Sequence, residues 1–178
     1  LALCLGGGSG PTMLFAFGSL GGVLLNQTPA QGQSAEAVAK IAQAITVRIE
    51  GATQGSGVLV KRDGNRYTVL TAWHVVRGQR PGEELDIYTP DGQRHKLDQG
   101  SINQLGEVDL AVLTFSSGTS YEVAQIGDIK SVSMGSPIYV AGFPLVTSAI
   151  NQRILRFLRG DVIANASVAI ADGYQLLY

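Results

Sequence analysis

Residues 44–71 read AITVRIEGATQGSGVLVKRDGNRYTVLT, and the class of fold is most readily recognised in this segment. Apolar and polar side chains alternate over Ala44–Glu50, which predicts a half-buried strand. Gly57–Lys61 and Tyr67–Thr71 predict two more strands, and Asp63-Gly64-Asn65 between them is typical of a hairpin turn. Strands joined by short turns predict antiparallel β-structure.

The same pattern continues on the C-terminal side. Further strands are predicted at Leu85–Thr89, Gln93–Leu97, Asp109–Phe115, Ser136–Gly142, Arg153–Ala164 and Tyr174–Tyr178. Pro90-Asp91-Gly92 is a second hairpin signal, and Arg153–Ala164 is one long strand or two strands divided at Gly160-Asp161. On the N-terminal side, Ala37, Val38, Ile41 and Ala42 lie on one face of a short helix that starts near Ser34. Many short strands predict an all-β fold, a sandwich or a barrel.

The composition narrows the class of function. The chain has 178 residues, 45% of them hydrophobic, which suffices for the core of one domain. With 13 Lys+Arg against 14 Asp+Glu, the net charge of −1 gives no electrostatic basis for a nucleic-acid partner. The single Cys excludes an intrachain disulfide framework and a Cys-rich zinc site. We therefore expect no nucleic-acid partner and no metal centre, and nothing in the sequence implies an organic cofactor.

Charge divides the chain into two regions. Residues 1–35 contain no charged side chain, and Met13–Leu25 has the length of the apolar region of a signal peptide, with small residues after it. We expect residues 1–35 to be a cleaved export leader and residues 36–178 to be the folded domain. The leader lacks a basic start and begins at Leu1, so we expect the true start to be missing or misassigned. The alternatives are a misassigned reading frame and a membrane anchor at Leu1–Leu25, which many glycines interrupt.

Two polar residues stand at strand ends where chemistry is possible. His74 follows the predicted strand Tyr67–Thr71, and a histidine held there can face a cleft as a general base. Asp109 opens the apolar strand Asp109–Phe115, where a carboxylate needs a hydrogen-bond donor such as an imidazole N–H. The alternatives are a packed histidine with both ring nitrogens satisfied and a solvated aspartate.

Four segments together resemble the chymotrypsin-like serine peptidases, with the closest likeness to bacterial trypsin-like and HtrA-type members. They are Gly55–Val58 (GSGV), Thr71–Val76 (TAWHVV), Asp109–Leu113 (DLAVL) and Gly135–Pro144 (GSPIYVAGFP). The resemblance implies two antiparallel β-barrels, the first nearly complete here and the second partial. It also implies a polypeptide substrate, with His74 as general base and Asp109 as its orienting partner.

The family's nucleophile, a serine in a Gly-x-Ser-Gly-Gly-Pro segment, has no match in this sequence. Ser136 lacks the following Gly pair, Ser56 precedes the histidine, and Ser167 lies in a predicted turn. The family nucleophile would follow a strand like Tyr174–Tyr178, so we expect the chain to be a fragment that is inactive alone.

The first hypothesis for the parent protein is an exported serine endopeptidase. The alternatives are a non-catalytic β-barrel binding module and a scaffold tethered to the membrane through a retained leader.

Other side chains receive structural interpretations. We expect Ser56 to serve packing, His95 to lie on a solvated strand face and Trp73 to belong to the core. Arg153, Arg156 and Arg159 would not share one face of a strand, so they predict no anion site together.

Overall fold

The computed structural model describes residues 33–80, 82–128, 132–146, 148, 152–165 and 176–177; the predicted leader, apart from its last three residues, lies outside this part. The helices are α1 (Ala35–Ile45) and α2 (Trp73–Val76). The strands are β1 (Thr46–Gly51), β2 (Gly55–Asp63), β3 (Arg66–Thr71), β4 (Leu85–Tyr88), β5 (Arg94–Gln104), β6 (Ala111–Ser116), β7 (Pro137–Gly142), β8 (Arg156–Asp161), β9 (Ala164–Asn165) and β10 (Leu176–Leu177). No helix in these ranges combines the length and apolar composition needed to span a bilayer.

Helix α1 is longer than predicted and takes the start of the first predicted strand. The Ser34 hydroxyl caps it by accepting from the N–H of Ala37 at 3.2 Å. Val38, Ala42 and Ile45 are buried, and their spacing follows one face of a helix. The prediction that the strand begins at residue 44 was therefore wrong. Ile45 fits the alternation of a strand and also the buried face of a helix, and in the structure it continues the helix with Val38 and Ala42.

Strands β1 to β6 form a closed antiparallel barrel in the order β1-β2-β3-β6-β5-β4, with β4 pairing back to β1. Its interior is filled by apolar side chains that alternate along the strands, which is the pattern seen in the sequence. The core includes Val47, Ile49, Leu59, Tyr67, Val69, Leu85, Ile87, Leu113 and Phe115. Trp73 packs half-buried against this core, as expected. The all-β prediction and the first barrel are confirmed, and closure removes the barrel's free edges.

The second part of the chain, which follows β6, forms two small sheets within the described residues, β7–β8 and β9–β10, which agrees with the predicted partial second barrel. The predicted strand Arg153–Ala164 is two strands, and the division lies at Val162 and Ile163 rather than at Gly160-Asp161. Val162 is buried, and its N–H and carbonyl bond to Ser136 O and Gly135 N–H at 3.0 and 2.7 Å. These bonds continue the contact past Asp161 but leave the β7–β8 register, since Val162 bonds to both Ser136 and Gly135.

His95 does not lie on a solvated face, so that prediction was wrong. Its ring is half-buried, 4.9 Å from the ring of Phe115, and Nε2 lies 3.2 Å from the hydroxyl of Tyr121. Tyr121 comes after β6 and lies across the strand that carries His95. The alternation of side chains along β5 does not predict that Tyr121 covers His95.

Candidate active site

The pairing of β3 with β6 brings His74 and Asp109 together. Thr71, the last residue of β3, is opposite Ala111, the first residue of β6. His74 comes three residues after Thr71, and Asp109 comes two residues before Ala111. Because antiparallel neighbours run in opposite directions, the end of one strand meets the start of the other. Two residues 35 positions apart therefore meet at one rim of the barrel.

Asp109 holds His74 through both carboxylate oxygens. The main-chain N–H of His74 donates to Oδ1 at 2.8 Å, and ring Nδ1 lies 2.6 Å from Oδ2. An ionised carboxylate only accepts hydrogen bonds, so Nδ1 carries the ring proton and Nε2 of the neutral ring keeps a lone pair. The pair thus presents Nε2 as a proton acceptor.

The electrostatics of the pair keep Asp109 ionised. The hydrogen bond from the His74 side chain lowers the pKa of Asp109 below its ordinary value, against a smaller opposing effect of burial. The main-chain N–H of His74 and the charge of Arg77 add to the lowering. The side chains of His74 and Asp109 remain 58% and 42% exposed, so the pair is open to solvent on one side.

The Gly55-Ser56-Gly57 segment lets the barrel approach the site closely. A Cβ on Gly55 would lie 2.6 Å from Cγ1 of Val75, the residue after His74. A Cβ on Gly57 would lie 2.3 Å from Cγ1 of Val69 inside the barrel. Both glycines are therefore required by close approach rather than by a special turn. The first seats helix α2, which carries His74, against strand β2.

Ser56 joins the barrel to the second part of the chain. Its hydroxyl accepts from the N–H of Phe143 at 2.7 Å and lies 3.4 Å from the Phe143 carbonyl. Residues 140–145 after and within β7 thereby form one wall of a cleft of about 630 Å³. The cleft is lined by, among others, Ser56, His74, Val75, Phe143, Leu145 and Arg156. His74 thus opens onto a largely apolar groove. The sequence predicted only packing for Ser56, so this hydrogen bond to Phe143 was not anticipated.

Arg153 is a second link across the same junction, and sequence reasoning missed it. Its side chain is only 7% exposed. Nη1 lies 3.4 Å from Oε1 of Glu50, and Nη2 donates to the carbonyls of Gly55 at 3.2 Å and Phe143 at 3.5 Å. Burial lowers the pKa of Arg153, Glu50 opposes that effect, and the charge of Arg48 adds to it.

No serine is placed on His74 by the described part of the chain, where ring Nε2 has no hydrogen-bond partner. The Ser56 hydroxyl is engaged by Phe143, and Ser136 accepts from the N–H of Ser133 at 3.2 Å. Ser167 lies outside the described residues. Within the same ranges, no three His, Cys, Asp or Glu side chains converge as metal ligands.

Comparison with known proteins gives a family match and two relatives. Residues 55–173 match the model of the "Trypsin-like peptidase domain". Two proteins named "Serine protease Do-like HtrA", from Lactococcus lactis subsp. cremoris (strain MG1363) and Lactococcus lactis subsp. lactis (strain IL1403), are each 32% identical over 99 residues. The aligned region covers 56% of this chain and 23% of each relative, so the chain spans less than a quarter of their length.

Proposed function

Since the chain belongs to the trypsin-like peptidase family, we propose that it provides the general base and orienting carboxylate of a serine endopeptidase. His74 is the base and Asp109 the residue that orients it. One observation carries the proposal. The Asp109 carboxylate accepts hydrogen bonds from both the main-chain N–H and ring Nδ1 of His74, so that ring Nε2 remains free beside a cleft. That arrangement supports His74 and Asp109 as the histidine and carboxylate of a catalytic triad.

The chemistry follows from the tautomer. Nε2 accepts the hydroxyl proton of a serine as that oxygen attacks the peptide carbonyl. The imidazolium that forms is stabilised by the ionised Asp109, which does not take the proton. Nε2 then returns the proton to the leaving amine, and water repeats the cycle on the acyl-enzyme. We propose that the serine and its oxyanion donors lie outside the described residues.

The cleft supports a polypeptide as substrate. Its apolar lining includes Val75, Phe143 and Leu145, which suits the side chains of an extended peptide. His74 and Arg156 add a small number of polar groups to this lining. A peptide there would pass His74 while lying between the barrel and the β7–β8 sheet. The relatives are named as proteases, which supports the same substrate class for the parent protein.

Incubation of the chain with a fluorogenic peptide library tests the proposal in part. We expect no turnover by residues 1–178 alone, because no Gly-x-Ser-Gly-Gly-Pro segment is present. Turnover blocked by a serine-directed phosphonate would contradict that expectation and place the nucleophile inside the chain. A matched assay on the product of the complete reading frame is expected to show activity that His74→Ala removes.

The competing function is a binding module that keeps the His–Asp pair without a nucleophile. The observation that favours the binding module is that, within the described residues, no serine is bonded to Nε2 of His74. The coding sequence after Tyr178 separates the two. A Gly-x-Ser-Gly-Gly-Pro segment supports the peptidase, and a stop codon supports the binding module.

The division of the chain also remains a proposal. We propose that residues 1–35 are an export leader and that residues 36–178 belong to the peptidase domain, so the protein acts outside the cytoplasm. N-terminal sequencing of the protein recovered from culture supernatant or periplasm tests this. A start between residues 28 and 36 agrees with the proposal, and an intact leader in the mature mass supports the membrane-tethered alternative.

A further inference from the structure

We propose that a second cavity, at the junction of α1, β1 and the segment before β8, binds a carboxylate. It has a volume of about 500 Å³ and is lined by, among others, Gln43, Thr46, Arg48, Tyr88, Arg153 and Leu155. It lies apart from His74, with Phe143 as the residue that borders both it and the cleft. The inference goes beyond the proposed function and does not depend on it.

The charges at this cavity do not balance. Arg48 and Arg153 both line it, and none of its described lining residues is acidic. Glu50 is the carboxylate in contact with both arginines, since its Oε1 meets Nη1 of each. Two positive charges against one negative leave a net charge of +1. A single monoanion would neutralise it, whereas a phosphate dianion would leave an excess of negative charge.

Two buried polar atoms in the cavity wall also lack partners. Arg153 Nε and Thr46 Oγ1 make no hydrogen bond, although Thr46 is 2% exposed and the Arg153 side chain 7%. Such atoms are uncommon in folded proteins because their desolvation is costly. Both atoms can donate a hydrogen bond, and because the atoms themselves are buried they act on an anion in the cavity through their dipoles rather than by contact.

The shape of the site favours a carboxylate on an apolar group. The guanidinium of Arg48 lies over the ring of Tyr88 at 4.4 Å from its centroid, which fixes its planar fork. The Arg48 side chain is 26% exposed, so a ligand can reach it. Phe143 and Leu155 supply apolar surface beside it. A planar carboxylate matches the guanidinium fork, and an apolar neighbour matches the remaining wall.

Binding here would be felt at the cleft through Arg153. The same guanidinium that borders the cavity donates to the carbonyls of Gly55 and Phe143. Phe143 is also held by Ser56 on the cleft side. A carboxylate that draws Arg153 toward itself therefore acts on the two segments that form the cleft wall.

The test is an NMR titration of the ¹⁵N-labelled chain with N-acetyl-leucine, followed on the main-chain amides. N-acetyl-leucinamide is the matched neutral probe, and inorganic phosphate is the second anion. The α-amide of N-acetyl-glutamate separates a side-chain carboxylate from a terminal one. We expect N-acetyl-leucine to shift the amides of Arg48, Tyr88 and Arg153, with smaller shifts at Gly55 and Phe143, and the leucinamide to leave them in place.

The variant test uses Arg48→Gln, with Arg159→Gln as the control of equal charge change on an exposed part of β8. We expect Arg48→Gln to weaken N-acetyl-leucine binding at least about tenfold, since a hydrogen bond to a charged group is lost. Arg159→Gln should bind as the unaltered chain does. Arg48→Lys keeps the charge without the fork and should fall between the two.

Three results would overturn the inference. The first is equal binding of N-acetyl-leucine and its amide, and the second is a preference for phosphate. The third is an absence of shifts around Arg48 and Arg153 in the unaltered chain, which decides the matter even if Arg48→Gln does not fold. Tighter binding of N-acetyl-leucine assigns the bound carboxylate to a chain terminus. Tighter binding of the α-amide of N-acetyl-glutamate assigns it to an acidic side chain.

Discussion

Substituting Asp109 by Asn isolates the electrostatic role of the carboxylate while leaving its shape. An amide oxygen can still accept from the main-chain N–H of His74, which now donates to Oδ1 at 2.8 Å. The amide nitrogen then faces ring Nδ1 and can only donate to it. His74 is therefore expected to move its proton to Nε2, which removes the lone pair that a general base needs.

The cost to stability follows from the exposure of the pair. A hydrogen bond to a charged group contributes about 1.5–3 kcal/mol when it is shielded from water. The two side chains are 58% and 42% exposed, so we expect solvent screening to reduce the loss to about 1 kcal/mol. In the complete peptidase, the wrong tautomer is expected to lower kcat by about 10⁴-fold.

The pH dependence has a defined sign. The pKa of Asp109 is lowered from the ordinary 3.8 in the folded chain, so its ionised form stabilises the fold at pH values above 3.8. That contribution is lost as the pH falls through the lowered value. The difference in unfolding free energy between the unaltered chain and Asp109→Asn should thus hold near neutral pH and shrink in acid.

The assay is urea unfolding together with ¹⁵N NMR of the imidazole rings. The chain has two histidines, so His95→Gln assigns both sets of signals. Asp98→Asn is the control, because Asp98 contacts Arg66 at 3.1 Å on the exposed barrel surface and should change stability by about 0.5 kcal/mol or less. Retention of the Nδ1–H tautomer in Asp109→Asn would show that the carboxylate does not set the tautomer of His74.

Three further substitutions test the packing that positions the site. Tyr67→Phe removes a hydroxyl that bonds two main-chain groups, each at 3.0 Å, from a fully buried ring. It should lower the free energy of unfolding in urea by about 2 kcal/mol. A smaller loss than that of an exposed Tyr→Phe control would contradict a stabilising role for the two hydrogen bonds. Gly57→Ala places a Cβ 2.3 Å from Val69 Cγ1 and should cost about 1–3 kcal/mol; an unchanged melting temperature would show that the barrel yields there. Ser56→Ala removes the acceptor of the Phe143 N–H and should cost about 1 kcal/mol. It should also speed hydrogen exchange at that amide, and unchanged exchange would contradict the bond's role in holding the cleft wall.

The barrel was predictable because each of its strands carries its own pattern. Alternation marked β1, and turn residues marked the hairpins that join β2 to β3 and β4 to β5. Boundaries were less accessible where one residue serves two periods. Ile45 continues the alternation of β1 and also completes the buried face of α1, and local sequence alone does not choose between them.

Side chains whose partners are distant in sequence were the ones that escaped prediction. His74 and Asp109 could be paired because both stand at strand ends within recognisable segments. Arg153 could not, since its contacts with Glu50 and Gly55 join residues about a hundred positions apart. His95 was misassigned for the same reason, because Tyr121 from beyond the strand covers it. Patterns of period two or 3.6 carry no information on such contacts.

The proposed peptidase function requires that His74, held by Asp109, activates a serine. The most direct measurement is reaction of the complete protein with a fluorophosphonate, followed by mapping of the modified residue. We predict one labelled serine, at none of the residues that the structure describes, with labelling abolished in His74→Ala and strongly slowed in Asp109→Asn. Failure of the folded protein to react, or labelling at an unchanged rate in His74→Ala, would contradict the account and favour a binding module.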